Sequence, residues 1–358
     1  MHACNFINPI TFETLTGNKC LVDTFDRNFQ FNVEHISLAK LADIFLVAPA
    51  SADVIGKIAN GIADDMLTTT IMACKCPKLI SPAMNTNMFT NPIVQDNLKK
   101  LEHYGYEIIQ PDSGYLACGD TGAGKMPSEQ VLLNYILRTI AKDKDMTGIK
   151  LTVTAGPTRE KLDPVRFLSN NSTGKMGYAI AKMAMLRGAD VTLISGKVSL
   201  EPVPFVKMVD IVSAEDMYNA VIKSAKDADI IIKAAAVADY RPSEVSDEKI
   251  KKKDGDMSIP LERTKDIIGT LGSSKRDGLF LCGFSMETEH MLDNSKVKLT
   301  KKNLDMIVAN NVKVAGAGFG TDTNVVTVIT KDAVEELPMM SKEEVADALL
   351  DRIMKARQ

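Results

Sequence analysis

The fold is decided by residues 150–195, KLTVTAGPTREKLDPVRFLSNNSTGKMGYAIAKMAMLRGADVTLIS. Lys150 to Ala155 reads as a strand. Met176, Ile180, Met183 and Ala184 stand at i, i+4, i+7 and i+8, the spacing of one helix face, and Gly188 ends that helix. Val191 to Ser195 reads as a second strand. Strand, loop, helix and strand in this order are the repeating unit of α/β layering. The intervening loop starts at a strand end and finishes at a helix N-terminus, where backbone N–H groups hold phosphate oxygens.

The same alternation continues on both sides. Downstream, Ser213 is an N-cap for a helix running to about Ala225, and Asp229 to Val237 (DIIIKAAAV) reads as a buried strand. Further strands are predicted at Leu279 to Phe284 and Val325 to Ile329. Ser341 and Glu344 form a capping box for a last helix whose Val345, Leu349 and Ile353 face inward. Upstream, Asp43 to Pro49 and Pro77 to Pro82 read as strands, with a helix over Ala52 to Ala63. Asn91-Pro92 starts a helix with Val94, Leu98 and Leu101 on one face, stopping at Gly105. Asp112 to Met126 is rich in glycine and short of aliphatics, which predicts a long loop or flap.

A polar run at 142–148 (KDKDMTG) marks a domain boundary. The fold class is therefore α/β, with two tandem Rossmann-like domains over 1–145 and 146–358. At about 150 residues per domain, 358 residues agree with two. The formal net charge of −3 supplies no basic excess for a phosphate backbone, which argues against a dedicated nucleic-acid binder. No apolar run approaches the ~18 residues of a membrane span, and the N-terminus lacks a secretory pattern. The six cysteines are scattered rather than arranged as a disulfide framework, so the expected location is the reducing cytoplasm.

Four groups of residues can carry chemistry. His35, in VEHISLAK, has an imidazole suited to proton transfer near pH 7, or is a surface histidine at a helix start. Asn85, in SPAMN directly after a strand, can bind a carboxylate or carbonyl, or is a solvated asparagine after a proline turn. Cys118, on the predicted flap, can donate a proton to a carbanion or enethiolate, or is an inert thiol. Cys74-Lys75-Cys76 has the wrong spacing for a zinc ribbon. The fourth group is the run from Thr154 to Gly177, with Thr154 to Glu160, Asp163 to Arg166 and Ser169 to Gly177 as its marked stretches. It is not a Walker A loop, because Met176 follows Gly174-Lys175 where a hydroxyl residue is required, and it lacks GxGxxG spacing. A bespoke nucleotide or phosphate site is implied, or merely a connection. Asp239, read as closing the strand at 229–237, and the lysines of 249–253 could support it.

The segments TAGPTRE, LDPVRFLSNNSTGKMGYAIA, AAAVADYRP and EKIKKK closely resemble the ligase half of the bacterial bifunctional phosphopantothenoylcysteine decarboxylase/phosphopantothenate–cysteine ligase family of coenzyme A biosynthesis. VEHISLAKLADIFLVAPASADVIGKIANGIADD, PAMNTNMF and ACGDTGAGKM resemble its decarboxylase half, a flavodoxin-like flavin-dependent cysteine decarboxylase. The resemblance covers essentially the whole chain, in family order. It implies His35 as the active-site histidine, Asn85 on the substrate carboxylate and Cys118 as the proton donor to the enethiol. Gly119, Asp120, Gly122, Gly124, Lys125 and Met126 would form a clamp over the substrate. In the ligase half it implies Asn170 in the acyl-nucleotide chemistry. Nucleotide contacts would come from Ala234, Ala235, Asp239, Lys249, Lys265, Asp266, Ile267, Ile268, Phe284, Lys298 and Lys302. The family usually has Pro-Asp where this chain has Lys265-Asp266.

The resemblance further implies FMN as cofactor, CTP as co-substrate with Mg2+, and 4'-phosphopantothenate and cysteine as substrates. It also implies a homo-oligomer, with a dimeric ligase and a trimer-based decarboxylase assembly. Met1 to Ile7 line up with the segment after the family's first helix, so the decarboxylase half is expected to lack its first βαβ unit and part of its flavin site. Two alternatives remain: a ligase whose N-terminal half serves only assembly, and a flavin-binding regulatory protein.

Overall fold

The structure is a computed structural model, and it describes residues 2–24, 34–116, 119–251, 257–286, 291–310, 318 and 320–357. The chain forms two compact units, Met1–Ala141 and Lys142–Gln358.

The first unit contains helices α1 (Pro9–Thr16), α2 (Glu34–Leu41), α3 (Ala52–Ala59), α4 (Met66–Ala73), α5 (Thr86–Phe89), α6 (Pro92–His103) and α7 (Glu129–Ile140). Its strands β1 (Phe45–Ala50), β2 (Lys78–Pro82) and β3 (Glu107–Ile108) form a parallel sheet in the order β1-β2-β3. Helix α6 forms as its sequence predicts: Asn91 caps it, proline takes the first turn, and Val94, Leu98 and Leu101 are buried. They pack with Ile55 and Ile58 of α3 onto Val47 and Ile80 of the sheet. Leu79, Ile109 and Leu132 of α7 form a smaller core.

Residues 112–126 differ from the loop expected of them. Asp112–Tyr115 (β4) and Thr121–Lys125 (β5) form an antiparallel hairpin, with Gly114 opposite Gly122 and Tyr115 opposite Thr121. A ladder is made by backbone groups, so a lack of aliphatic side chains does not exclude it. Cys118, between β4 and β5 in the sequence, lies outside the described residues.

The second unit is built on a sheet of β6 (Lys150–Ala155), β9 (Asp190–Ser195), β10 (Lys207–Asp210), β11 (Ile230–Lys233), β14 (Phe280–Met286), β15 (Met306–Asn310), β17 (Val326–Thr330) and β18 (Val334–Glu336). Their order is β10-β9-β6-β11-β14-β15-β17-β18, with β17 antiparallel to both of its neighbours, β15 and β18, and all other neighbours parallel. Helices α8 (Lys175–Leu186), α9 (Ala214–Ser224), α10 (Ile267–Ser273), α11 (Met291–Lys301) and α12 (Lys342–Ala356) complete it. The capping boxes expected at Ser213 and Ser341 both form. Along β11 the apolar run serves two faces. Ile230 and Ile232 pack with Ile180 of α8 and Leu349 of α12, while Ile231 packs with Met217 of α9 and Ile268 of α10. A strand buried on both faces shows no polar alternation, which is why this one reads as a continuous apolar stretch. Short ladders join β7 (Arg159–Lys161) to β8 (Phe167–Ser169), β12 (Tyr240–Pro242) to β13 (Leu261–Arg263), and β16 (Thr323–Asn324) to β19 (Met340–Ser341). Among the described residues, no helix is long and apolar enough to cross a membrane.

Candidate active sites

In the second unit, β6 and β11 are parallel neighbours with Thr154 opposite Lys233. From β6 the chain winds outward through β9 and β10; from β11 it winds the other way through β14 and β15. Such a switch point opens a crevice at the carboxyl ends of the two strands, the usual ligand site of doubly wound sheets. Both strand-following loops meet there. The Ala236 N–H donates to the Gly156 carbonyl at 3.0 Å, and Pro157 bridges to Ala236. The hydroxyl oxygens of Thr154 and Thr158 accept from the N–H groups of Ala235 and Ala238 at 3.1 and 3.0 Å. The Thr264 hydroxyl donates to the Ala238 carbonyl at 2.6 Å.

This network corrects the strand expected over 229–237. β11 ends at Lys233, because the following N–H groups turn to threonine hydroxyls and to the β6 loop instead of continuing the ladder. Asp239 therefore does not close a strand; it lies on the connection to β12, where its carbonyl accepts the Thr264 N–H at 3.0 Å.

The crevice has two lobes that share Lys233, Val237 and Asp239. One, about 460 Å3, is walled by Asn170, Asn171, Ala234, Ala235 and Phe284. The other, about 350 Å3, is walled by Lys265, Asp266, Ile267 and Lys302. Asn170 is held by its Nδ2, which donates to the Ala236 carbonyl at 3.1 Å. Lys302 pairs with Asp266 at 2.8 Å, and Asp266 also caps α10 by accepting the Gly269 N–H at 3.1 Å. Burial pushes the Asp266 carboxyl up, but the Lys302 and Gly269 hydrogen bonds outweigh it and hold the group below the usual carboxylate range.

Other expected residues are placed differently. Lys265 lines the second lobe, but its ammonium is engaged with Glu215 at 2.7 Å and over the Tyr218 ring at 4.8 Å. Ile268 is buried in the core beneath α10. Lys298 is exposed on α11, and Lys249 is exposed on the segment before Ile250. Lys252 and Lys253 lie outside the described residues. At the entry to α8, Gly174 adopts a left-handed conformation and provides no side-chain cap, and the helix start lines a small cavity with Ser172, Phe284 and Asn310. Lys175 pairs with Asp322 at 2.6 Å.

Sequence reading passed over Lys233, which it placed inside a strand, and the threonines that anchor residues 235–239. A charged residue interrupting an apolar run was the available signal, since a buried ammonium demands a reason. Burial holds the Lys233 ammonium below the usual lysine range, and Lys302 and Lys298 add to this against the opposing charges of Asp266 and Asp239.

In the first unit, Asn85 follows β2 and meets the hairpin. Its Oδ1 accepts the Asn87 N–H at 2.8 Å and its Nδ2 donates to Asp120 Oδ2 at 3.2 Å. The Met84 N–H donates to the Gly124 carbonyl at 3.0 Å. The approach is so close that a Cβ on Gly124, at φ +139°, would stand 2.1 Å from the Met84 carbonyl oxygen. A Cβ on Gly122 would stand 2.5 Å from Thr86 Oγ1. Expected residues Asn85, Asp120, Gly122 and Gly124 are thus brought together. Gly119 takes φ +87° at the turn, Lys125 is exposed, and Met126 is half-buried. His35 is half-buried on α2, and among the described residues no hydrogen bond joins it to Asn85 or Asp120. Among the described residues, the buried hydroxyls of Ser81 and Thr86 have no partner, a state that a bound polar group relieves.

Residues 1–141 match the family described as Flavoprotein. Residues 146–356 match the family described as DNA/pantothenate metabolism flavoprotein C-terminal domain. The chain is 47% identical over 355 residues to the coenzyme A biosynthesis bifunctional protein CoaBC of Bacillus subtilis, covering 98% of this chain and 87% of that protein. It is 42% identical over 354 residues to a cysteine/cysteine sulfinic acid decarboxylase of an unknown prokaryotic organism, covering 97% and 99%. The crystal structure of the C-terminal domain of a coenzyme A biosynthesis bifunctional protein CoaBC is similar with a TM-score of 0.51 and 44% identity, over 60% of this chain and 97% of that one.

Proposed function

The chain belongs to the bacterial family of bifunctional coenzyme A biosynthesis proteins, and from that premise we propose how its two units divide the work. The protein is an enzyme of coenzyme A biosynthesis with a ligase and a decarboxylase step. The second unit joins cysteine to 4'-phosphopantothenate at the expense of CTP. The first unit decarboxylates the product to 4'-phosphopantetheine. The observation that carries the ligase reading is the position of Asn170. It is fixed on the Ala236 carbonyl at a switch-point crevice whose other lobe bears Asp239, Lys302 and Lys233.

A carboxylate is a poor electrophile, and conversion to an acyl-cytidylate gives it a leaving group. The second lobe takes the nucleotide, with Lys302 answering its charge, while Asn170 orients the acyl group for attack by the cysteine amine. Magnesium enters with the triphosphate: among the described residues no cluster of three or more His, Cys, Asp or Glu forms a resident cage, and magnesium is commonly held by substrate phosphates with one or two carboxylates.

The part of a flavin site that this chain carries lies at the carboxyl end of β2, where, among the described residues, the buried hydroxyls of Ser81 and Thr86 have no partner. FMN supplies the two-electron chemistry that makes carbon dioxide a leaving group. Asn85 holds the substrate carboxylate, the β4–β5 hairpin covers it, and Cys118 delivers the proton; His35 completes the set. Exposed Val165 between β7 and β8, Phe167 on β8 and Leu261 on β13 suit a dimeric ligase. A trimer-based decarboxylase assembly and a cytoplasmic location are carried by family resemblance.

Mass spectrometry of products from phosphopantothenate, cysteine, CTP, magnesium and FMN tests both halves. Phosphopantetheine is the expected end product. Accumulation of phosphopantothenoylcysteine alone overturns the decarboxylase assignment and leaves a ligase. Absence of CTP-dependent pyrophosphate release overturns the ligase assignment, and carbon dioxide from free cysteine alone redirects the first unit toward the chemistry named for the 42%-identical relative.

A further inference from the structure

β11 reads Ile230-Ile231-Ile232-Lys233: three buried isoleucines carry the ladder through the core, and the fourth residue brings an ammonium to the crevice. Lys233 lines both lobes, so it stands where they join. Among the described residues none accepts a hydrogen bond from its ammonium, and the nearby Asp266 is already engaged by Lys302 at 2.8 Å. A partly desolvated cation in this state is unfavourable until an anion reaches it. Its position is also fixed, because β11 is paired on both sides, to β6 and to β14, and the loop after it is held by Thr154 and Thr158.

The ligase reaction asks two anions to meet. A carboxylate oxygen of phosphopantothenate attacks the α-phosphorus of CTP. An oxygen–phosphorus bond forms, the bond from that phosphorus to the bridging oxygen breaks, and pyrophosphate leaves with the electron pair. Resting on the ligase reading above, the geometry points to Lys233 as a catalytic residue of this first step, its ammonium placed between the lobes to neutralise carboxylate and α-phosphate together as they approach. A fixed charge of this kind needs no reorganisation when the reaction occurs, and removing one such group commonly costs about 100-fold or more in rate.

The charged groups around Lys233 are Asp239 on the connection to β12, Lys265 and Asp266 before α10, and Lys298 and Lys302 at the end of α11 and beyond it. Lys233 must be charged to act, and its pKa lies below the usual lysine value. Activity is therefore full below that lowered pKa and is lost as pH rises through it.

The experiment measures phosphopantothenate-dependent pyrophosphate release from CTP in the full chain, without cysteine, across pH. Wild-type release establishes the ligase reading independently; its absence overturns that reading and this inference together. Given wild-type release, Lys233→Gln is expected to lower the rate constant of the pyrophosphate burst about 100-fold, with the CTP concentration giving half the maximal burst rate changed less than about threefold. Lys233→Arg is expected to keep at least about a tenth of the rate, because it keeps the charge, and to move the alkaline limb upward. A Lys233→Gln rate within about threefold of wild type, or a Lys233→Arg enzyme as impaired as Lys233→Gln, overturns the assignment while leaving the ligase intact. If Lys233→Gln does not fold, the alkaline limb decides: the same limb in wild type and Lys233→Arg overturns the assignment, and an upward shift supports it.

Discussion

The carboxylate of Asp163 accepts the backbone N–H of Ile250 at 3.2 Å, across 87 residues of sequence. It also accepts from the N–H groups of Val165 and Arg166, both at 2.8 Å, and from Arg166 Nε at 2.9 Å. One buried carboxylate thus fixes the turn that leads to Asn170 and the segment that carries Lys249.

Asp163→Asn keeps the shape but weakens acceptance of these donors. The KM for CTP is expected to rise about tenfold, the equivalent of one lost charge-assisted bond, with a smaller change in kcat. Burial pushes the Asp163 carboxyl up, but its three backbone donors and Arg166 prevail and hold it low. Its contribution to stability is therefore present above the unfolded carboxylate pKa and is lost as pH falls through the lower folded value. Acid unfolding of wild type against Asp163→Asn measures this; identical acid midpoints would count against it.

Gly124→Ala places a methyl group 2.1 Å from the Met84 carbonyl oxygen at a φ of +139°. The hairpin must separate from Asn85, with a cost above ~1 kcal/mol and weaker flavin binding, read by thermal unfolding and flavin titration. Gly114→Ala, whose Cβ meets nothing closer than 3.9 Å, is the control and should differ little from wild type.

Lys302→Met frees Asp266 from its partner at 2.8 Å and leaves a carboxylate facing the nucleotide lobe. CTP affinity is expected to fall about tenfold or more, and the dependence of binding on salt should weaken. Equilibrium titration of CTP at two ionic strengths reads both effects. Unchanged affinity would remove Lys302 from the nucleotide site.

Arg187 is 6% exposed and joins Asp145, Asp347 and Asp351, tying the end of α8 to α12. Arg187→Met should destabilise the second unit by about 3 kcal/mol at most, less than a fully buried pair because Asp351 remains in solvent. The hydrogen bond from Arg187 holds the Asp145 carboxyl below its ordinary range. The difference between wild type and variant in urea unfolding should therefore be largest near neutral pH and shrink as pH falls below about 4.

The local elements were legible where a short-range signal is complete. The α6 stripe of Val94, Leu98 and Leu101, the Ser213 and Ser341 capping boxes and the strand at Lys150–Ala155 each depend on residues within one turn or one ladder run. The hairpin at 112–125 was not legible, because its ladder and its fit against Met84 use backbone atoms and glycines that carry no hydropathy signal. The end of β11 was misplaced by four residues, from Lys233 to Val237, because the groups that stop the strand, Thr154 and Thr158, lie some 80 residues away.

The sequence by itself determined the α/β class, the order of the main elements and the family, since periodicity, caps and long motifs are local properties of the chain. Only the tertiary structure decided which side chains share a site. Asn170 and Lys302 come from separate connections and Lys233 from the end of β11, and the reversal of strand order between β6 and β11 brings them to one crevice. The charge of Lys233 acquires its meaning there, because desolvation and neighbouring charges exist only once those connections have closed around it.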